Sequence, residues 1–324
     1  MSTRISSFIL AIMIATGSGR VATAQSKNDI EIGQAVASNS KLTEVERKVQ
    51  EIVQRHGHQT EAAIWLSGAT GSAWIEHQAT ARMPSASAIK TFFLVEFFAD
   101  RKDALDAPVP GADAILDDDS HPAIAHFTAD QREDIRKTLK GKSAREIGKI
   151  MMGSAPASNV AYNAAASLIT AVLGGPEGLT RRIHDRDPAF ATVYVRRYML
   201  RDRKENGDNE MTARAIAELY RKLATQSLKG MSDDTTAAVR NAIIREGTAK
   251  SGFEFVKSGA LDTDPLTRVE AGWKESHDGA GPVVFVVMLW QPKPGEGQAR
   301  KEAGTALGAT CVEIRRILTQ PISE

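Results

Sequence analysis

Apolar side chains at Leu42, Val45, Val49, Ile52 and Val53 recur at helical spacing, and Gly57 ends that stretch. The period then shortens. Ala62–Leu66 and Ser72–Ile75 are apolar runs of strand length on either side of Gly68–Gly71, which predicts a hairpin. Beyond Ser87, the run Phe92–Phe98 predicts a buried helix. Residues 107–123 hold Pro108, Pro110, Pro122 and three consecutive aspartates, Asp117–Asp119, and predict a surface loop with a solvated charge run. Ser143 and Glu146 form a capping box for a helix reaching Met152. Tyr162–Leu173 is an alanine-rich helix closed by Gly174-Gly175-Pro176, and Met211–Leu223 and Asp233–Ile244 each carry an apolar stripe. Phe253–Lys257, Thr267–Trp273 and Val283–Trp290 then predict three strands. Leu307, Cys311, Ile314 and Leu318 line one face of a closing helix, and Met151, Met152 and Trp290 read as core.

The order is helix and hairpin, a long helical middle, then strands and a helix. It predicts an α+β architecture, an antiparallel sheet flanked by helices, with residues 25–84 and 246–324 forming the sheet lobe and 85–245 an inserted all-helical lobe. A cleft between the lobes is the natural place for a site. Residues 1–24 read differently: Arg4, a short apolar run from Phe8 to Ala15, and Ala22-Thr23-Ala24 are the parts of a secretory signal peptide. Cleavage near Ala24 predicts a periplasmic or secreted protein with no stable membrane anchor, the apolar run being too short to span a bilayer.

Charge and cysteine content narrow the function. Against 41 basic side chains stand 40 acidic ones, so nothing electrostatic points to nucleic acid. The single Cys311 excludes an intrachain disulfide and a multi-cysteine metal site. His56-Gly57-His58 followed by Glu61 is a fragment of a metal-binding pattern without further histidines, and reads as a helix end. No metal and no organic cofactor is predicted.

Three short elements carry chemistry. Ser87-Ala88-Ile89-Lys90 opens a helix, with the hydroxyl and the amine three apart on one face, and free N–H groups at a helix start favour negative charge on an attacking oxygen. Burial lowers a lysine's pKa, which suits Lys90 to take a proton. Ser158-Asn159 stands at a second helix start, where either residue caps the helix or donates hydrogen bonds to a substrate amide and to Lys90. Lys257-Ser258-Gly259 ends a strand. Its cation and hydroxyl suit a substrate carboxylate, and the N–H of Ala260 joins that of Ser87 around a developing oxyanion.

In this order, S-x-x-K, a degraded S-D-N and K-S-G resemble the marks of class A β-lactamases and related penicillin-binding proteins. Met83–Ser87, Asn159–Asn163 with Gly174-Gly175-Pro176, and Asn209–Arg214 are similar to further stretches of that family, so the resemblance runs from Leu42 to Leu318. It implies the serine β-lactamase/DD-peptidase-like fold, with Ser87 as nucleophile and Lys90 as its base. It assigns Ser158 and Lys257 to the catalytic set, and Asn159, Ser258, Gly259 and Ala260 to substrate binding. The activity implied is β-lactam hydrolysis through an acyl-enzyme by a monomer acting on a small β-lactam or cell-wall peptide-like substrate. Alternatives are a D-Ala-D-Ala-type peptidase or small-ester hydrolase on the same scaffold, and a non-catalytic binder of cell-wall peptides or β-lactams.

Two positions depart from the family. With Asn159 in the asparagine place, Ala157 stands where a serine passes a proton to the leaving nitrogen, leaving Ser158 or Ser154 as substitutes. An E-x-x-L-N element is absent between Leu179 and Thr212, a stretch dominated by arginines in which Glu205-Asn206 is the nearest fragment.

Overall fold

The computed structural model describes residues 42–55, 60–248, 252–263, 265–275 and 281–320. The signal-peptide reading and His56-Gly57-His58 lie outside them. Residues 42–55 form helix α1, with Val49 and Ile52 buried. The predicted hairpin is β1 (Glu61–Ser67) and β2 (Ala73–His77), paired antiparallel with Ile64 opposite His77. The three late strands are β6 (Gly252–Leu261), β7 (Leu266–Lys274) and β8 (Val283–Gln291). A fourth, β5 (Ile244–Thr248), is exposed at every residue and carries no apolar alternation, which is why its pattern does not announce it. Together they make a six-stranded antiparallel sheet in the order β2-β1-β8-β7-β6-β5.

The sheet is covered on both faces. α9 (Ala213–Ala224) packs on β1, β7 and β8, where Tyr220 lies beside Trp273 and Trp273 stacks on Phe255 at 4.3 Å between ring centroids. Side chains alternate along a strand, so Phe285, opposite Gly272, points the other way, beneath α11 (Gly297–Leu318). Arg315 of that helix holds Glu246, Glu254 and Glu270 of three different strands. Cys311 is buried and unpaired.

Between β2 and β5 the chain is mostly helical. α2 (Lys90–Asp100) is buried from Lys90 to Phe98 and touches α5 (Ala144–Met152), α6 (Asn159–Val172), α7 (Gly175–Arg186) and α10 (Asp233–Ala242). A helix that is apolar all round belongs inside a layer of other helices. Thr128 and Ser143 start α4 (Ala129–Leu139) and α5 with capping boxes. Residues 107–123 are not merely a solvated loop. They contain α3 (Ala112–Asp117), and Asp117 pairs with Lys140 while Asp119 pairs with Arg136, so the charge run holds α4. The stripe over Met211–Leu223 also divides in two. β3 (Arg82–Pro84) takes β4 (Glu210–Thr212) as its partner, and Thr212 then caps α9.

One buried ion pair fixes α2 against α7: both Arg186 nitrogens Nε and Nη2 donate to the Glu96 carboxylate, which is 4% exposed. Burial pushes the Glu96 carboxyl up, and the arginine opposes that shift. Arg186→Met leaves the carboxylate buried alone and is expected to destabilise the protein by about 3–5 kcal/mol, measured by urea unfolding at neutral pH.

Candidate active site

The turn carrying Ser87 is held from outside. Ser85 donates both its N–H and its hydroxyl to the Asn209 carbonyl, each at 2.9 Å, and this fastens the turn to the segment entering β4. Ala86 then adopts φ 46°, a left-handed conformation that only glycine takes without strain. Ala86–Ile89 is a 3-10 turn, and Lys90 begins α2. From Met83 to Phe98 every residue is buried except Ser87. The path of the chain therefore delivers one hydroxyl to the surface of an otherwise closed run. In a 3-10 turn, residues three apart eclipse one another, so Ser87 and Lys90 lie on the same side.

Lys90 is wholly buried. Its Nζ donates to Asn163 Oδ1 at 2.9 Å and to the Tyr162 carbonyl at 3.5 Å, and lies 3.2 Å from the centroid of the Tyr162 ring. Burial, and after it the charge of Lys257, hold the amine well below the usual lysine range. Among the described residues neither Lys90 nor Lys257 pairs with a carboxylate. An amine that holds its proton less tightly than usual is the better suited to accept one from a hydroxyl.

The opposite wall is the free end of β6. β5 pairs with β6 only as far as Val256, so Lys257-Ser258-Gly259-Ala260 runs on beyond that partner. Alternation buries Lys257 and Gly259 and exposes Ser258 and Ala260. Gly259 has a steric reason: a Cβ there would lie 2.9 Å from Ser87 N and 3.0 Å from Ala88 N. The strand thus abuts the backbone of the nucleophile turn. Lys257 turns inward, donating to the Ser258 carbonyl at 3.1 Å with its ammonium 5.3 Å from the Tyr162 ring.

α6 corrects the sequence reading. Ser158 is its N-cap: it accepts from Ala161 N–H at 3.0 Å and donates to Asp134 at 2.5 Å, and it is not among the residues lining the cavity that holds Ser87. Ser154 is engaged with the Ala242 carbonyl at 2.9 Å. Lys90 meets Asn163, one turn beyond Asn159, and Asn159 supports it by accepting from the Asn163 amide. Asn163 and Tyr162 are the residues that motif reading missed. The signal was the Asn159/Asn163 spacing of four, which puts both amides on one helix face.

Ser87, Asn159, Tyr162, Asn163, Ser258 and Ala260 line one cavity of about 1040 Å³. Its far wall holds Met199, Leu200 and the basic segment Arg201–Lys204. Leu200 is 53% exposed and held at φ 65°. The carboxylates of this cavity are engaged. Asp208 lies between Arg197 and Arg203, Asp262 on Arg268, and Glu270 on Arg315, while Asp202 caps a short turn, α8 (Arg203–Asn206). Glu205 meets Arg201. Among the described residues no group of histidine, cysteine, aspartate or glutamate is arranged to hold a metal ion, and no helix is long and apolar enough to cross a membrane.

No protein-family profile and no curated protein matches this chain by sequence. Solved structures do match by fold. A β-lactamase from Chitinophaga pinensis is similar over 85% of this chain and 97% of its own, with a TM-score of 0.58 at 14% identity. A β-lactamase from Xanthomonas campestris is similar over 86% and 98%, with a TM-score of 0.56 at 19% identity. A variant of PBP-A, captured as its acyl-enzyme complex with penicillin G, is similar over 85% and 97%, with a TM-score of 0.55 at 16% identity. The chain has the serine β-lactamase/DD-peptidase fold, an α+β arrangement of antiparallel sheet and flanking helices.

Gly259→Ala pushes a methyl group into the backbone of Ser87 and Ala88. It is expected to destabilise the protein by about 1–3 kcal/mol, seen as a lowered melting temperature. It should also cut the rate of covalent labelling at Ser87 at least tenfold, about 1.4 kcal/mol in the barrier.

Proposed function

We propose that this protein is an exported serine hydrolase that opens β-lactam rings through an acyl-enzyme on Ser87 and releases the product slowly. One observation carries the reading: a buried lysine with no carboxylate partner stands three residues after the only accessible residue of the Met83–Phe98 run. A neutral amine in that position serves a serine nucleophile and little else.

In the reaction, the Ser87 hydroxyl attacks the lactam carbonyl as its proton passes to Lys90 Nζ. The N–H groups of Ser87 and Ala260 hold the oxyanion. The carbon–nitrogen bond of the ring breaks, the proton taken up by Lys90 is returned to the departing nitrogen, and an ester to Ser87 remains. Ser258 binds the substrate carboxylate by its hydroxyl, and Lys257 attracts it from beneath as a charge. Asn159 meets the substrate amide, and Met199 and Leu200 offer an apolar wall. Export rests on the sequence pattern of residues 1–24.

The ion-paired state of Asp208, Asp262 and Glu270 favours slow release, because none of these carboxylates is free to activate water and Lys90 is left as the one base beside the ester. A β-lactamase with rapid turnover is the competing reading. Intact-protein mass spectrometry after mixing with a penicillin separates them. A lasting adduct that is absent in Ser87→Ala supports the proposal. A fleeting adduct with substrate consumed makes the protein a fast β-lactamase, and no adduct with no consumption removes the β-lactam reading.

The base role has its own signature. Lys90 acts unprotonated, so the first-order acylation rate at saturating penicillin should rise with pH through a midpoint below the ordinary lysine value of about 10.4. Lys257→Met removes the neighbouring like charge, so Lys90 should hold its proton to higher pH. The rising limb is expected to move to higher pH, read by stopped-flow labelling across a pH series.

A further inference from the structure

A second cavity, of about 600 Å³, adjoins the first on the side of the loop between α5 and α6. It is lined by Ile150, Gly153, Ser154 and Ala157, among others, and it shares Asn159 and Tyr162 with the cavity that holds Ser87. Lys90 Nζ lies 3.2 Å from the centroid of the Tyr162 ring, yet Lys90 is wholly buried. The ring therefore stands between a dry amine and two spaces open to water.

We propose that Tyr162 is a positioning residue whose ring, rather than its hydroxyl, is the partition that keeps Lys90 dry and so keeps it a base. The proposal rests on the acyl-enzyme reading of Ser87 and Lys90, and gives a role to a residue of the Asn159–Asn163 stretch that the sequence reading left without one.

The ring has two opposed effects. Its face attracts a cation and favours the protonated amine. Its bulk excludes water and favours the neutral amine. Complete burial of the lysine decides for exclusion, and the depressed pKa of Lys90 has burial as its first cause. The other groups around the amine do not supply that effect. From β6, Lys257 adds a like charge, the second and lesser cause. From α6, Asn163 offers an uncharged acceptor at 2.9 Å. Glu270 of β7 is turned to Arg315, and Glu96 of α2 itself is held by Arg186. No carboxylate of α5, α7 or α10 pairs with Lys90 among the described residues. On the outer side of the ring Gly153 contributes no side chain: a Cβ there would fit at 3.6 Å from the Tyr162 Cε2, so the second cavity reaches up to the ring edge.

The test compares Tyr162→Ala, Tyr162→Phe and the wild type, each checked for its melting curve, by two readouts. One is the pH profile of acylation by a penicillin. The other is the titration of Lys90 followed by NMR in protein carrying 13C-labelled lysine, with Lys90→Met to assign the signal. Tyr162→Ala admits water, and the midpoint should rise by at least one pH unit in both readouts. That is roughly a tenfold loss of rate at neutral pH, recovered in alkaline solution. Tyr162→Phe keeps the ring and should keep the wild-type midpoint. A uniform loss of rate at every pH in Tyr162→Ala, with the lysine titration unmoved, overturns the proposal. So does a Tyr162→Phe midpoint that follows the alanine variant, which would assign the effect to the phenol. If penicillin labels no form of the protein but the Lys90 titration still moves in Tyr162→Ala alone, the partition stands and the acyl-enzyme reading fails.

Discussion

Burying an amine without a carboxylate to answer it constrains everything around Lys90. In water a lysine is charged and hydrated. Inside a helical layer that charge is costly, and burial shifts the group toward its uncharged form. The layer must then be tight enough to keep water out and must still provide one acceptor for the amine, which is Asn163. It must also tolerate Lys257 close by, since two protonated lysines would repel each other. The buried run of α2, the start of α6 and the free end of β6 are therefore tied together by one group's need to stay neutral. A paired carboxylate would have relieved that need and removed the reactivity with it.

How much of this could be read from the chain depends on what sets each feature. The hairpin, the three late strands and the helices at Ser143 and Tyr162 are written in local periodicity and capping, and they stand where the pattern puts them. β5 was illegible because an edge strand with every residue exposed has no alternation to show. The pairing of β3 with β4 was hidden for another reason: it joins residues far apart in sequence, and nothing in either three-residue piece signals a strand. At the site, the positions of Ser87 at a helix start and of Ser258 at a strand end follow local patterns that the sequence shows, and the fold brings both to one cavity. For Ser158 the sequence left capping and a role at the site both open, and the structure shows the cap. Asn163 was not singled out because the stretch was read at its first asparagine, Asn159, one helical turn before the residue that meets Lys90.

The basic stretch of the sequence acquires a structural meaning too. Arg197 and Arg203 share the Asp208 carboxylate, and Arg201 takes Glu205, so the arginines of this stretch are answered by acids of the same stretch. Leu200 stands exposed in the same wall.

Ser85 bonds to Asn209, 124 positions along the chain, and Gly259 closes the same turn from still further on. Neither contact can form early, because a long segment must first be folded back to bring its ends together. A growing or half-folded chain therefore carries Ser87 and Lys90 as an ordinary serine and an ordinary charged lysine. The proposed pair of Ser87 and Lys90 is therefore assembled late, when a segment 124 positions away closes on the turn.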